Sequence, residues 1–159
     1  INRSITILEK YCSALVPPYK GAFDGPTKAL EDALKAFKEA YCTAMDNYDF
    51  SGAMSSTWKL VGMANKLIDT EAPWALKKDG KVRELEAVMY LLLEVIRISA
   101  VSVAPVMPDT SGKIFKKIGL DVEPENFNII EALNFGALRA GTGTDKGEPL
   151  FPRIEDAKK

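Results

Sequence analysis

Val88-Met89-Tyr90-Leu91-Leu92-Leu93-Glu94-Val95-Ile96-Arg97-Ile98-Ser99-Ala100-Val101-Ser102-Val103-Ala104-Pro105-Val106-Met107 is the most apolar run of this 159-residue chain. Its length suits a bilayer, but Glu94 and Arg97 stand near its middle, where two charges are costly in hydrocarbon. The reading that remains is a helix buried inside a soluble bundle. Leu85, Val88, Leu92, Val95, Ile98 and Val101 recur at helical spacing, and Tyr90 and Leu91 widen the stripe. Glu94 and Arg97 read as a structural i,i+3 pair. The helix is predicted from 81 to about 104, where Pro105 and Pro108 end it.

The same periodicity extends outward from this run. A helix over 26–45 carries Leu30, Leu34, Phe37, Tyr41 and Met45 on one face. Another, from 50 or 51 to 69, starts at Asp49 or Ser51 as N-cap and buries Ala53 or Met54, Thr57, Leu60 or Val61, Ala64, and Leu67 or Ile68. A first helix covers 1 to about 15, and a short helical turn covers 73–78. Downstream, a helix from 109 or 110 ends at Ile118, with Gly119 past its end. One further turn falls within 124–133, and 136–152 reads as an irregular arm. No segment alternates convincingly enough to be a strand. The predicted fold is all-α: an antiparallel bundle of about five helices (1–122) with an extended irregular C-terminal tail (123–159).

Hydrophobic residues make up 47% of the chain, enough for a real core, and the net charge is −1. Any nucleic-acid contact must therefore come from a local patch. The chain has no histidine, which removes Ser-His-Asp triads, Cys-His pairs and His-based metal motifs. Cys12 and Cys42 lack metal-type spacing and read as buried reduced thiols. Arg3 and Glu9 interrupt any apolar leader at the start. Ile1 is not an initiator residue, so the chain reads as a fragment of a longer protein.

The most chemically suggestive stretch is Ala64-Asn65-Lys66-Leu67-Ile68-Asp69-Thr70-Glu71-Ala72-Pro73-Trp74. It breaks a helix at Pro73 and presents an aromatic plane just past the break. Such a platform, with cations nearby, suits stacking of an unpaired base. Six basic residues (Lys59, Lys66, Lys77, Lys78, Lys81, Arg83) face three acids (Asp69, Glu71, Asp79) over 59–83, a local balance of +3. Lys77, Lys78 and Lys81 are candidates for backbone phosphates, which position rather than specify. Each residue also has a plainer reading: Trp74 as a buried helix corner, Asn65 as a brace of the break, Arg3 as a solvated side chain, the lysines as an ordinary charged face. Trp58 is expected on the packing face.

Four pieces together resemble the anticodon-binding helical domain of class I aminoacyl-tRNA synthetases, most closely the methionyl-tRNA synthetases. Arg3 matches the Arg of an Asn-x-x-x-Arg pattern on the first helix, whose Asn would lie four residues earlier. Residues 64–74, followed by Ala75-Leu76-Lys77, form the most specific match, with Leu67 where the family often has Tyr. Met107-Pro108-Asp109-Thr110-Ser111 resembles the segment opening the fifth helix. Phe135-Gly136-Ala137-Leu138 with Gly141, then Pro149-Leu150-Phe151-Pro152-Arg153-Ile154-Glu155, resembles the family's tail.

The resemblance implies a domain that reads the CAU anticodon of methionine tRNA, with Trp74 stacking on the first base and Arg3 donating to its edge; Asn65 is the third candidate. It implies a parent methionine–tRNA ligase that uses ATP with magnesium. The catalytic unit, with its nucleotide-binding signatures, lies outside this chain, and no cofactor is expected here. Gly141-Thr142-Gly143 lacks the strand and helix that a phosphate loop needs. The expected partners are tRNA and the catalytic domain of the same parent chain, with no membrane, in the cytoplasm or an organellar matrix. The tail's Leu150, Phe151 and Ile154 are expected to pack on the bundle or towards that domain. The rival readings are another class I synthetase and a helical protein-interaction module with Trp74 as its anchor.

Overall fold

The computed structural model describes residues 1–122 and 127–151. They form seven helices: α1 Asn2–Cys12, α2 Pro26–Asp46, α3 Phe50–Glu71, α4 Pro73–Lys78, α5 Val82–Val103, α6 Pro108–Lys117 and α7 Ile129–Ala132. The fold is the expected helical bundle, and the short α4 and α7 fall where single turns were predicted. The one β pairing among the described residues is an isolated antiparallel bridge between Leu15 and Gly143. Among these residues no helix is long and apolar enough to cross a membrane.

Helix α5 is the axis. From Leu85 to Val103 nearly every side chain is buried, as expected for a helix that is apolar on all sides. Helices α1, α2, α3, α4, α6 and α7 all pack against it. Helices α2 and α3 form an antiparallel pair, and Asp49 caps α3 by accepting from the Gly52 N–H at 2.8 Å. Three buried hydroxyls are matched: Tyr41 donates to the Ser102 carbonyl at 2.8 Å, Thr57 lies 3.0 Å from Ser102 Oγ, and Ser111 donates to the Ala100 carbonyl at 2.8 Å, whereas the Tyr19 and Ser99 hydroxyls are buried without a partner among the described residues. Such pairing removes the penalty of burying them.

Three expectations need correction. Trp58 is 60% exposed. The core row of α3 is Ala53, Thr57, Leu60, Ala64 and Leu67, mostly modest side chains that let α3 approach α5; Trp58 is turned about 100° from Thr57 and so leaves that row. Helix α1 stops at Cys12 rather than near residue 15, because Ser13 and Ala14 take left-handed backbone, at φ 54° and 56°. Cys12 and Cys42 are free but only half-buried.

The tail is held to the bundle by the charges of α5. Arg97 donates to Glu94 at 3.0 and 2.7 Å, to the Ala132 carbonyl, and to the Asn134 carbonyl at 2.7 Å. Glu94 in turn accepts from the N–H groups of Gly136 at 2.9 Å and Leu138 at 3.0 Å. The pair therefore supplies hydrogen-bond partners to a segment without regular structure, while Leu133 and Leu138 enter the core. Farther on, the Thr144 and Gly141 N–H groups donate to the carbonyls of Ala14 and Val16, each at 2.8 Å. Gly119, at φ +73°, is required by this crossing, since a Cβ there would lie 1.9 Å from the Gly143 carbonyl oxygen. Leu150 is half-buried and Phe151 is 71% exposed. Pro124 and the stretch Pro152 to Glu155, with Ile154, lie outside the described residues.

Candidate nucleic-acid interface

The break after α3 occurs at Ala72, which adopts φ 42°, ψ 74°. Pro73 disfavours α backbone at the preceding residue, and Ala72 takes the left-handed alternative. Its N–H closes α3 onto the Ile68 carbonyl at 3.1 Å, and its own carbonyl accepts from Ala75 and Leu76 at 2.7 and 3.2 Å. One residue thus ends α3 and starts α4. Within α4, Pro73 and Leu76 are buried, which leaves Trp74, Lys77 and Lys78, spaced i, i+3 and i+4, on the outer face. Trp74 is 45% exposed, in line with a platform rather than a buried corner. Lys77, Lys78 and Lys81 are exposed.

Helix α1 packs on α4 and α5, bringing its first turn to the end of α3. There Arg3 Nη2 donates to Asp69 Oδ1 at 2.8 Å, and the two side chains are 51% and 66% exposed. A pair this open contributes roughly 0.2–1 kcal/mol, so Arg3 is oriented yet releasable. Asn65 lies one turn before Asp69 on the same ridge of α3 and is exposed. Among the described residues it makes no side-chain hydrogen bond, and the break is braced by the Ala72 backbone instead. The structure therefore brings Arg3 to the α3 ridge that carries Asn65 and Asp69, five residues before Trp74.

Asp69 was missed by sequence reasoning as a member of this group. The signal lay in its spacing from Asn65, but its pairing with Arg3 is a contact between residues 66 apart. On the other flank, Asn65 also lines an apolar groove of about 190 Å³ with Trp58, Val61, Ile68, Met107 and Phe151.

A family model of the anticodon binding domain of methionyl tRNA ligase matches residues 17–159. The chain is 41% identical over 157 residues to the methionine–tRNA ligases of Enterococcus faecalis and of Bacillus subtilis, covering 98% of itself and 23% of each relative. It is also similar to Mycobacterium tuberculosis methionyl-tRNA synthetase in its free state, at 28% identity and TM-score 0.82, over 98% of this chain and 31% of that one. The same synthetase in complex with methionyl-adenylate matches at 27% identity and TM-score 0.78. The chain thus spans about a quarter of the length of the curated relatives.

Proposed function

The chain belongs to the family of anticodon-binding domains of methionyl-tRNA ligases, and we propose that it reads the CAU anticodon of methionine tRNA at the corner between α3 and α4. The observation that carries this reading is Trp74, held half-exposed on one face of α4 with Lys77 and Lys78, beyond the α3 ridge where Arg3 meets Asp69. Trp74 supplies the stacking plane for the first anticodon base. Stacking alone does not separate cytosine from uracil, since every base has a face. Arg3 adds donors for the carbonyl oxygen and N3 of cytosine, and Asn65 adds an amide on the same ridge. Lys77, Lys78 and Lys81 meet backbone phosphates.

The catalysis belongs to the remainder of a parent methionine–tRNA ligase, which joins methionine to tRNA with ATP and magnesium in the cytoplasm. In this reading the bundle, residues 1–122, contacts the RNA. The tail, residues 123–159, packs on the bundle or towards the catalytic unit. The groove where Leu150 and Phe151 lie beside Trp58 supports that role, as does the fourfold greater length of the relatives.

The test is a titration of the chain with anticodon stem-loops carrying CAU or UAU, at two salt concentrations. CAU is expected to bind more tightly, Trp74→Ala to weaken it on the order of tenfold or more, and both affinities to fall steeply with salt through counterion release. Salt-insensitive or absent binding by the folded chain sinks the proposal and favours a protein-interaction module.

A further inference from the structure

Ala72 breaks two local preferences at once. Its backbone lies at φ 42°, ψ 74°, in the left-handed region where a Cβ crowds the following carbonyl oxygen. Helices that end this way ordinarily do so on glycine or asparagine, as the chain does at Gly119 after α6. The residue before a proline also favours extended backbone. Among the described residues Ser13, Ala14 and Tyr48 are the other non-glycine positions with positive φ, and none of them precedes a proline. What holds Ala72 in place is its own N–H on Ile68, its carbonyl under Ala75 and Leu76, and the burial of Pro73 and Leu76. No side chain caps α4, and a helix of six residues does not persist by itself. The direction of α4 is therefore set at one backbone position, two residues before Trp74.

Strained backbone survives only where the surroundings over-determine it, and it gathers at sites that need a fixed geometry. Glycine would adopt the same φ and ψ without crowding, but it would reach many others as well. We infer that Ala72 is a positioning residue: its Cβ confines the corner to one setting and so holds the Trp74 ring still before a base arrives. That the held ring serves base stacking rests on the anticodon reading above. A platform ordered in advance raises affinity by removing an ordering cost from the binding step. Because stacking is indifferent to which base lies on the ring, CAU and UAU loops gain alike, and Ala72 contributes to affinity rather than to discrimination.

The experiment titrates Ala72→Gly with both stem-loops. Affinity for each should fall about two- to fivefold, the scale of glycine's extra backbone freedom. The midpoint of thermal unfolding should hold or rise, because the crowding is relieved. In a Trp74→Ala background the same substitution should cost nothing further, since the ring it holds is gone. Ala72→Asn keeps a Cβ and tolerates left-handed backbone, and it should bind as the wild type does. A readout without RNA completes the test. With Trp58→Phe as background, Trp74 is the one tryptophan left in the chain, and Ala72→Gly should lower its fluorescence anisotropy through added fast motion. An unchanged anisotropy, a penalty that persists undiminished without Trp74, or a lowered melting midpoint overturns the inference. If Trp74→Ala weakens CAU binding while Ala72→Gly leaves it unchanged, the role of Ala72 falls and the anticodon reading stands. If the anisotropy drops but no stem-loop binds, Ala72 does hold the ring and the anticodon reading falls.

Discussion

Two arginine–carboxylate pairs in this chain have nearly the same contact distance and opposite surroundings. Arg97 meets Glu94 at 2.7 Å and Arg3 meets Asp69 at 2.8 Å. The first pair is buried, with side chains 4% and 0% exposed, while the second is 51% and 66% exposed. Buried Glu94 and Arg97 use their remaining capacity on the carbonyls of Ala132 and Asn134 and the N–H groups of Gly136 and Leu138. Among the described residues Arg3 makes a single side-chain hydrogen bond, leaving most of its donors available to a ligand. The distance between the charges is therefore uninformative, and the unspent hydrogen-bonding capacity separates a structural clamp from a pair open to a ligand.

The largest effect should come from breaking the clamp. Glu94→Ala strands a buried guanidinium and two backbone donors, and loss of one partner of a buried pair costs about 3–5 kcal/mol. The midpoint of thermal unfolding should fall on the order of 10 °C, read by circular dichroism. The molecules that remain folded should bind a CAU stem-loop as before, because the partners of the clamp lie in α7 and the tail rather than in α4. A drop of only a degree or two would mean that the tail contributes little to stability.

A smaller effect sharpens the buried side of the comparison. Tyr90 stacks on Tyr19 with centroids 4.5 Å apart, and its hydroxyl donates to the Leu138 carbonyl at 3.2 Å. Burial, and then Glu94 nearby, push its pKa up to about 12, against about 10 in an unfolded chain. The folded state thus holds the phenol proton longer than the unfolded state does. That contribution is complete below pH 10 and is lost as pH rises through 12. Tyr90→Phe should lower stability at pH 7 by about 0.5–1.5 kcal/mol through the lost hydrogen bond, and it should flatten the fall in stability above pH 10. The flattening should be partial, since burial also raises the Tyr19 pKa. Urea unfolding at pH 7, 10 and 11.5 measures both, and an unaltered alkaline slope would rule out Tyr90 as its source.

The helices were legible because their signal is local. The stripe of α2, the cap at Asp49 and the proline breaks act within a few residues, and all three recur in the structure. Glu94 and Arg97 were legible as a pair, but not as the anchor of the tail, because their other partners lie 35 to 44 residues away. Trp58 was misplaced for a related reason. Hydrophobicity favours burying it, whereas close approach of α3 to α5 favours Thr57 in the core row, and only the three-dimensional packing decides between them. In the candidate interface, the proline break exposed Trp74 and the lysines to view in the sequence. The Arg3–Asp69 contact was hidden because its partners lie 66 positions apart in the chain.

The smallest change in stability should come from the open pair, where the effect on recognition is instead the informative one. Asp69→Ala removes a solvent-exposed partner, so unfolding free energy should move by less than about 1 kcal/mol. Two consequences follow at the proposed RNA contact. A carboxylate beside the anticodon corner disappears, which should raise affinity for any anionic loop. Arg3 also loses the acceptor that orients it, and an unoriented guanidinium binds phosphate as readily as a base edge. Affinity for UAU should therefore rise more than affinity for CAU, narrowing the discrimination between them. Titration of both stem-loops with the wild type, Asp69→Ala and Arg3→Ala decides the point, because Arg3→Ala should lower CAU affinity where Asp69→Ala raises it. If the two variants shift discrimination equally and lower affinity alike, the pair acts as a unit that must stay closed, and Arg3 is not the group released to the base.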